Sequence, residues 1–256
     1  MKLLSLILLV VSLLLATPVL AAERATAIPE PKWPASGRAE YAFVFDGEVV
    51  QVARVEFMTG NTSQDIRVHT AEIDLLPNRL TEIVIIGGQQ YERTGVEARW
   101  RSGSTRGPAD VFLPMGNPFA FVSHENSTAY RVGDVTIDGV EMTQYQTHLD
   151  VSKLGDPNLI SAKEDLFIGK NDGYLYRGQV TYRGRDPQLG EGEYALVFRM
   201  FDVNAPVVIG APPSSLVDGG SIRSASGRSR FTGAQFMPTW AHSFVYRGLQ
   251  AIRARK

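Results

Sequence analysis

The stretch Tyr130–Asp150, YRVGDVTIDGVEMTQYQTHLD, decides the fold. Two β-rich runs flank Asp138-Gly139. Asp-Gly in that setting signals a two-residue hairpin, because a type I′ turn needs positive φ at both central positions. Folding there sets Ile137 opposite Val140 and Val135 opposite Met142 on one face. It sets Val132 opposite Tyr145 and Tyr130 opposite Thr147 on the other. A ribbon wetted on one side alternates cleanly between apolar and polar. This one carries apolar or aromatic groups on both faces, so both are expected to be covered.

Similar runs surround the hairpin. Glu40–Phe45 and Val49–Met58 flank a second Asp-Gly pair, Asp46-Gly47. Asp65–Ile73, Glu82–Ile86 and the ribbon Gln89–Trp100 follow, with Gly87-Gly88 as a turn and Arg101–Pro108 as loop. Glu164–Ile168 and Tyr174–Tyr182 form a hairpin around Lys170-Asn171-Asp172-Gly173. In the last strand, Glu193–Val203, Tyr194, Leu196, Phe198 and Met200 face one way, and Ala195, Val197 and Phe201 the other. Two short helices are predicted. Pro118–Glu125 has Asn117 as its cap and Pro118 in its first turn, with a hydrophobic loop plugging the core as the alternative. Asp156-Pro157 opens the second, which runs to about Lys163. The fold class is therefore α+β, mainly β.

The chain has 256 residues, a formal net charge of −1 and no cysteine. That balance gives no global attraction to nucleic acid, and no disulfide can staple the fold. Met1-Lys2, the apolar run Leu3–Leu15, Pro18 and the small residues of Val19-Leu20-Ala21 have the layout of a secretory signal peptide cleaved before Ala22. The apolar run is short for a membrane span, which needs about 20 residues. Residues 22–36, rich in Ala, Pro and Glu, read as a linker on which Trp33 is a docking candidate. Residues 37–213 form the domain, closed by Pro212-Pro213. Residues 214–256 form a basic tail in which Phe236, Trp240, Phe244, Leu249 and Ile252 recur at roughly helical spacing beside Arg247, Arg253 and Arg255. Two readings of the tail stand: an amphipathic helix on an anionic membrane, with contacts through Trp240, Phe244, Arg247 and Arg253, or a helix packed on the domain.

The order of Val135–Asp150 (VTIDGVEMTQYQTHLD), Leu166–Arg177 (LFIGKNDGYLYR) and Phe201–Pro213 (FDVNAPVVIGAPP) resembles the carboxy-terminal half of the LolA/LppX-type lipoprotein-carrier superfamily. The resemblance implies a curved antiparallel half-barrel packed around short helices and holding lipid or acyl chains. Actinobacterial members of that superfamily are often anchored by a lipid on an N-terminal cysteine, a residue this chain lacks. The residues point the same way for their own reason. A curved sheet apolar on both faces needs two covers; what the Phe119–Val122 helix does not fill is a hollow, where burying a ligand gains about 25 cal/mol per Å² of apolar surface, the alternative being two well-packed faces and no hollow. Phe43, Phe57, Ile85, Phe119, Phe121, Tyr145, Leu196 and Phe198 are the candidate cavity residues.

Chemistry is harder to find. His69, His124, His148 and His242 stand at no helical or hairpin spacing from one another, and no HExxH run occurs, so no metal or cofactor is expected. No Gly-x-Ser-x-Gly elbow or phosphate-cradling loop is present. Glu164 and Asp165, as neighbours on a strand, point to opposite faces and cannot work as an acid and base pair. The expected function is an exported, non-enzymatic carrier or binder of lipid, acylated molecules or lipoproteins, with a periplasmic, cell-envelope or extracellular location. The alternatives are a cell-envelope sensor or protein-interaction module on the same scaffold and, behind both, a hydrolase with an unrecognised site.

Overall fold

The computed structural model describes residues 23–25, 28–60, 66–75, 78–104, 127–153, 157–186 and 190–221. They form one curved sheet of 13 strands: β1 (Glu23–Arg24), β2 (Ser36–Phe45), β3 (Glu48–Met58), β4 (Arg67–Leu75), β5 (Asn78–Ile86), β6 (Gln89–Thr94), β7 (Trp100–Ser104), β8 (Ser127–Ile137), β9 (Val140–Leu149), β10 (Leu159–Gly169), β11 (Leu175–Asp186), β12 (Gly190–Phe201) and β13 (Val217–Ser221). The spatial order is β1-β8-β9-β10-β11-β12-β2-β3-β4-β5-β6-β7-β13. The sheet is thus open, with β1 and β13 at its edges. It is mixed rather than wholly antiparallel, because β13 runs parallel to β7.

The turn chemistry acts as expected. Asp138 and Gly139 have φ of 53° and 80°, and Asp46 and Gly47 have 46° and 81°, the left-handed pairs that suit a right-twisted hairpin. Register in the central hairpin follows the sequence only near its turn. Ile137 pairs with Val140 and Val135 with Met142, but a bulge between Arg131 and Gly133 then shifts the ladder by one residue. Tyr145 consequently faces Arg131 rather than Val132, and Thr147 faces Ala129 rather than Tyr130. A bulge puts two residues opposite one and so exchanges the faces beyond it.

No helix packs around the sheet among the described residues. Among the described residues, helical structure is confined to the 3-10 turns Val151–Lys153 and Ser214–Leu216. The segment predicted as a helix to Lys163 instead enters β10 at Leu159, paired with β9 and β11. Leu159, Ala162 and Leu166 are buried there in the main core, and two-sided ladder pairing outweighs the weak helix-start signal of Asp156-Pro157. Part of the expected loop Arg101–Pro108 likewise extends β7 to Ser104. The predicted helix Pro118–Glu125, with Phe119 and Phe121, lies outside the described residues, as does the tail beyond Ser221 with Trp240, Phe244, Arg247 and Arg253.

The face bearing the largest core cluster, called inner here, joins Ile85 on β5 to Leu149 on β9 through Val68, Phe57, Phe43, Leu196, Val180 and Leu166. Over it runs an amino-terminal strap, Ile28–Ala35. Trp33 meets the Phe198 ring edge-on at a centroid distance of 6.2 Å, Lys32 N donates to Gly173 O at 2.9 Å, and Ala35 N donates to Asn204 Oδ1 at 3.1 Å. The outer face carries a smaller patch of Ala42, Val44, Val52, Ala195 and Val197. A second strap follows β12 on that side. Its Val207 and Ile209 pack with Val84 and Trp100, and Arg67 Nη1 donates to Ile209 O at 3.1 Å. It delivers the chain to β13, which carries the sheet beyond Pro212-Pro213.

Phe198 is fully buried between Trp33 and Tyr41. Phe198→Ala is expected to cost about 3–5 kcal/mol. Val208→Ala, at a residue 94% exposed on the outer strap, should stay within about 0.5 kcal/mol. Urea unfolding of both variants measures the difference.

Candidate functional site

Strand pairing lays the inner-face side chains in rows across the sheet. Two rows are almost entirely apolar: Ile85–Val68–Phe57, and Ile83–Thr70–Val55–Ala39–Met200. The next is Thr81–Glu72–Ala53–Tyr41–Phe198–Gly178–Leu166–Tyr145. Beyond it come Gln51–Phe43–Leu196–Val180–Glu164–Thr147 and finally Phe45–Tyr194–Tyr182–Ala162–Leu149. The inner face is therefore graded. Its end near the start of β2 is oily, and its other end mixes aromatic rings with a band of buried polar groups.

Of the cavity candidates, Phe43, Phe57, Ile85, Leu196 and Phe198 lie together in the inner cluster, with Tyr145 packed against it half-buried. Phe119 and Phe121 lie outside the described residues. His148 is exposed, 2.7 Å from Gln146 Oε1 and edge-on to Tyr130. His69 is on the outer face beside Glu82, which also binds Arg93. No group of His, Asp and Glu among the described residues is arranged to hold a metal ion.

The polar band is the feature that sequence reasoning passed over. Gln51, Thr147 and Glu164, in one row, are each fully buried, as are Glu72 in the row before it and Thr70 within the oily end, and the rings of Tyr182 and Tyr194 are buried in the next row. Both carboxyl oxygens of Glu164 and the hydroxyls of Thr147 and Thr70 have no hydrogen-bond partner. Such groups are exceptions in native interiors. Burial, reinforced by the neighbouring Asp165 charge, holds the Glu164 carboxyl well above the ordinary range. Burial and the proximity of Glu164 likewise raise Tyr182. As expected, Asp165 faces the other way. On the outer side it accepts from Gln144 at 3.2 Å and from Gln146 at 2.9 Å. A signal for Glu164 did exist: it is the one charged residue in the otherwise apolar alternation of Ala162, Leu166 and Ile168.

At the rim the charges are paired. Asp134 accepts from Lys170 Nζ at 2.8 Å, Thr143 Oγ1 at 3.0 Å and Arg131 Nη2 at 2.5 Å, and the Lys170 and Thr143 hydrogen bonds lower its pKa. On the outer face the tip of the β8–β9 hairpin folds toward β11, where Arg177 donates to Asp138 at 2.6 Å.

The sequence matches no family model and no curated protein. Among solved structures the chain is similar to lipoprotein LppX of Mycobacterium tuberculosis, with 13% identity, 69% of this chain and 90% of that one covered, and a TM-score of 0.44. It is similar also to a LolA superfamily protein of Nitrosomonas europaea, with 11% identity, 74% and 90% coverage and a TM-score of 0.22. A third is an outer membrane lipoprotein-sorting protein domain of Vibrio parahaemolyticus, with 12% identity, 65% and 86% coverage and a TM-score of 0.21. By their names the first two are an LppX and a LolA superfamily protein. At such scores the geometry of the inner face, and not the likeness, carries the functional reading.

The raised Glu164 pKa gives stability a definite pH dependence. The unfolded glutamate releases its proton near pH 4.3, whereas the folded one keeps it to higher pH. The folded state then binds more protons, so stability present below that pH is lost as pH rises toward the folded pKa, at up to about 1.4 kcal/mol per unit for one proton. Urea midpoints from pH 4.5 to 8 should fall in the natural protein. In Glu164→Gln they should fall less and lie higher at pH 8.

Proposed function

We propose that the protein is an exported, non-enzymatic carrier or binder of lipid, acylated molecules or lipoproteins, held against the inner face of its sheet. One observation carries this reading. The inner cluster spans β5 to β9 without a break, a continuous apolar face on one side of a single curved sheet, with the strap bearing Ile28 and Trp33 packed against it. Acyl chains suit such a surface because each buried methylene contributes about 0.8 kcal/mol with no directional contact. A long chain is then retained by length alone. Peripheral docking on a donor membrane is assigned to the basic tail, through Trp240, Phe244, Arg247 and Arg253.

Native mass spectrometry of protein gently isolated from the cell envelope is expected to show a chain beginning at Ala22 with lipid bound. A chain that is empty after isolation, and remains empty after exposure to lipid vesicles, would leave the sensor or interaction module as the better account. The tail is tested in the full chain. The Arg247→Glu/Arg253→Glu double variant should bind phosphatidylglycerol vesicles about tenfold or more weakly, since each basic residue near an anionic surface is worth about 1 kcal/mol. Equal binding would remove the tail from the account.

A further inference from the structure

The grading of the inner face orients whatever lies on it. Glu164 is fully buried, points to the same side as Leu166 and Ala162, and has no hydrogen-bond partner on either oxygen. Across the ladder stands the Thr147 hydroxyl, equally buried and equally unpartnered. Val180 flanks Glu164 on its other side, and Tyr182, diagonal to it on the same face, lies close enough to feel its charge. These groups belong to different strands, β9, β10 and β11, so their convergence is set by register rather than by a local turn.

No Lys or Arg among the described residues occupies these rows. The buried Arg177 belongs to the outer face, where Asp138 engages it. A buried polar group without a partner carries its full desolvation cost, so Glu164 and Thr147, side by side, hold hydrogen-bonding capacity that the chain itself leaves unmet.

We propose, resting on the carrier reading above, that the Glu164–Thr147 row is a headgroup site. Glu164 and Thr147 hydrogen-bond the uncharged ester, amide or hydroxyl group of a bound amphiphile, whose alkyl chains run along the apolar rows toward Phe198 and Trp33. The row selects uncharged headgroups. An anionic one would lie beside a carboxyl group with no facing cation, and a pure hydrocarbon would leave both residues unpaired. Selectivity of this kind comes from the penalty on the wrong ligand as much as from contact with the right one. The carboxyl is suited to donating because burial favours its protonated form.

The test uses the full mature chain, delipidated, with binding read by displacement of N-phenylnaphthylamine, an uncharged apolar fluorophore. The probes are dioleoylglycerol, hexadecane and phosphatidylglycerol. The natural protein should take dioleoylglycerol most tightly. Glu164→Leu should weaken dioleoylglycerol about tenfold while leaving hexadecane unchanged, and Glu164→Gln, which keeps a donor, should stay within about threefold. Thr147→Val, nearly isosteric, gives the same comparison without touching the carboxyl. If Glu164→Leu and Thr147→Val bind dioleoylglycerol as the natural protein does, the headgroup site is overturned while the carrier reading stands. Tightest binding of phosphatidylglycerol would overturn the uncharged class. If no probe displaces the fluorophore from any form, the carrier reading fails, and the headgroup site with it.

Discussion

One sheet with apolar side chains on both faces must find cover for both, and this constraint organises the molecule. A sandwich solves it with a second sheet. Here the described residues use the chain's own extended segments instead. Residues 28–35 lie across the inner face and are fixed at Gly173 and Asn204. The segment after β12 crosses the outer face, where Val207 and Ile209 are buried against Trp100 and Val84. A strap covers a narrow stripe, so neither replaces a packed layer.

Most of the sheet was legible because its turns are chemically specific. Asp-Gly pairs read as hairpins proved to have both residues at positive φ. The two-sided apolar pattern of Tyr194–Phe201 proved to be a strand buried on both faces, with Phe198 inside and Val197 outside. The errors have physical causes. The bulge at Val132 inserts a residue whose local mark, Gly133 inside the strand run, was passed over, and everything beyond it changes partner. Leu159–Lys163 follows the helix-start signal of Asp156-Pro157, yet ladders on both sides and burial of Leu159 and Ala162 draw it into β10. Straps are hardest to read, because Ile28–Ala35 and Pro206–Pro213 have the composition of linkers and gain their places only from distant partners.

The candidate surface was legible in its oil and not in its polarity. Aromatic and aliphatic residues of β2, β3, β5 and β12 announce a core by alternation. A lone Glu164 within Ala162–Ile168 looks like an ordinary exposed strand residue until the ladder sets it beside Thr147 and Tyr182. Whether a strand glutamate meets water or the interior is decided by the neighbours on both sides, which lie more than ten residues away in sequence.

The inner strap has a consequence for how the molecule is made. Its residues leave the ribosome early, but the groups that hold it, Gly173, Phe198 and Asn204, are synthesised late, with Ala35 and Asn204 separated by 169 positions. Strand β2 likewise waits for β12 before it gains its second neighbour. Contacts this distant are slow to form, since loop closure must come first. The inner strap therefore closes only after β12 and the residues beyond it have been made, and its docking is a late step in folding.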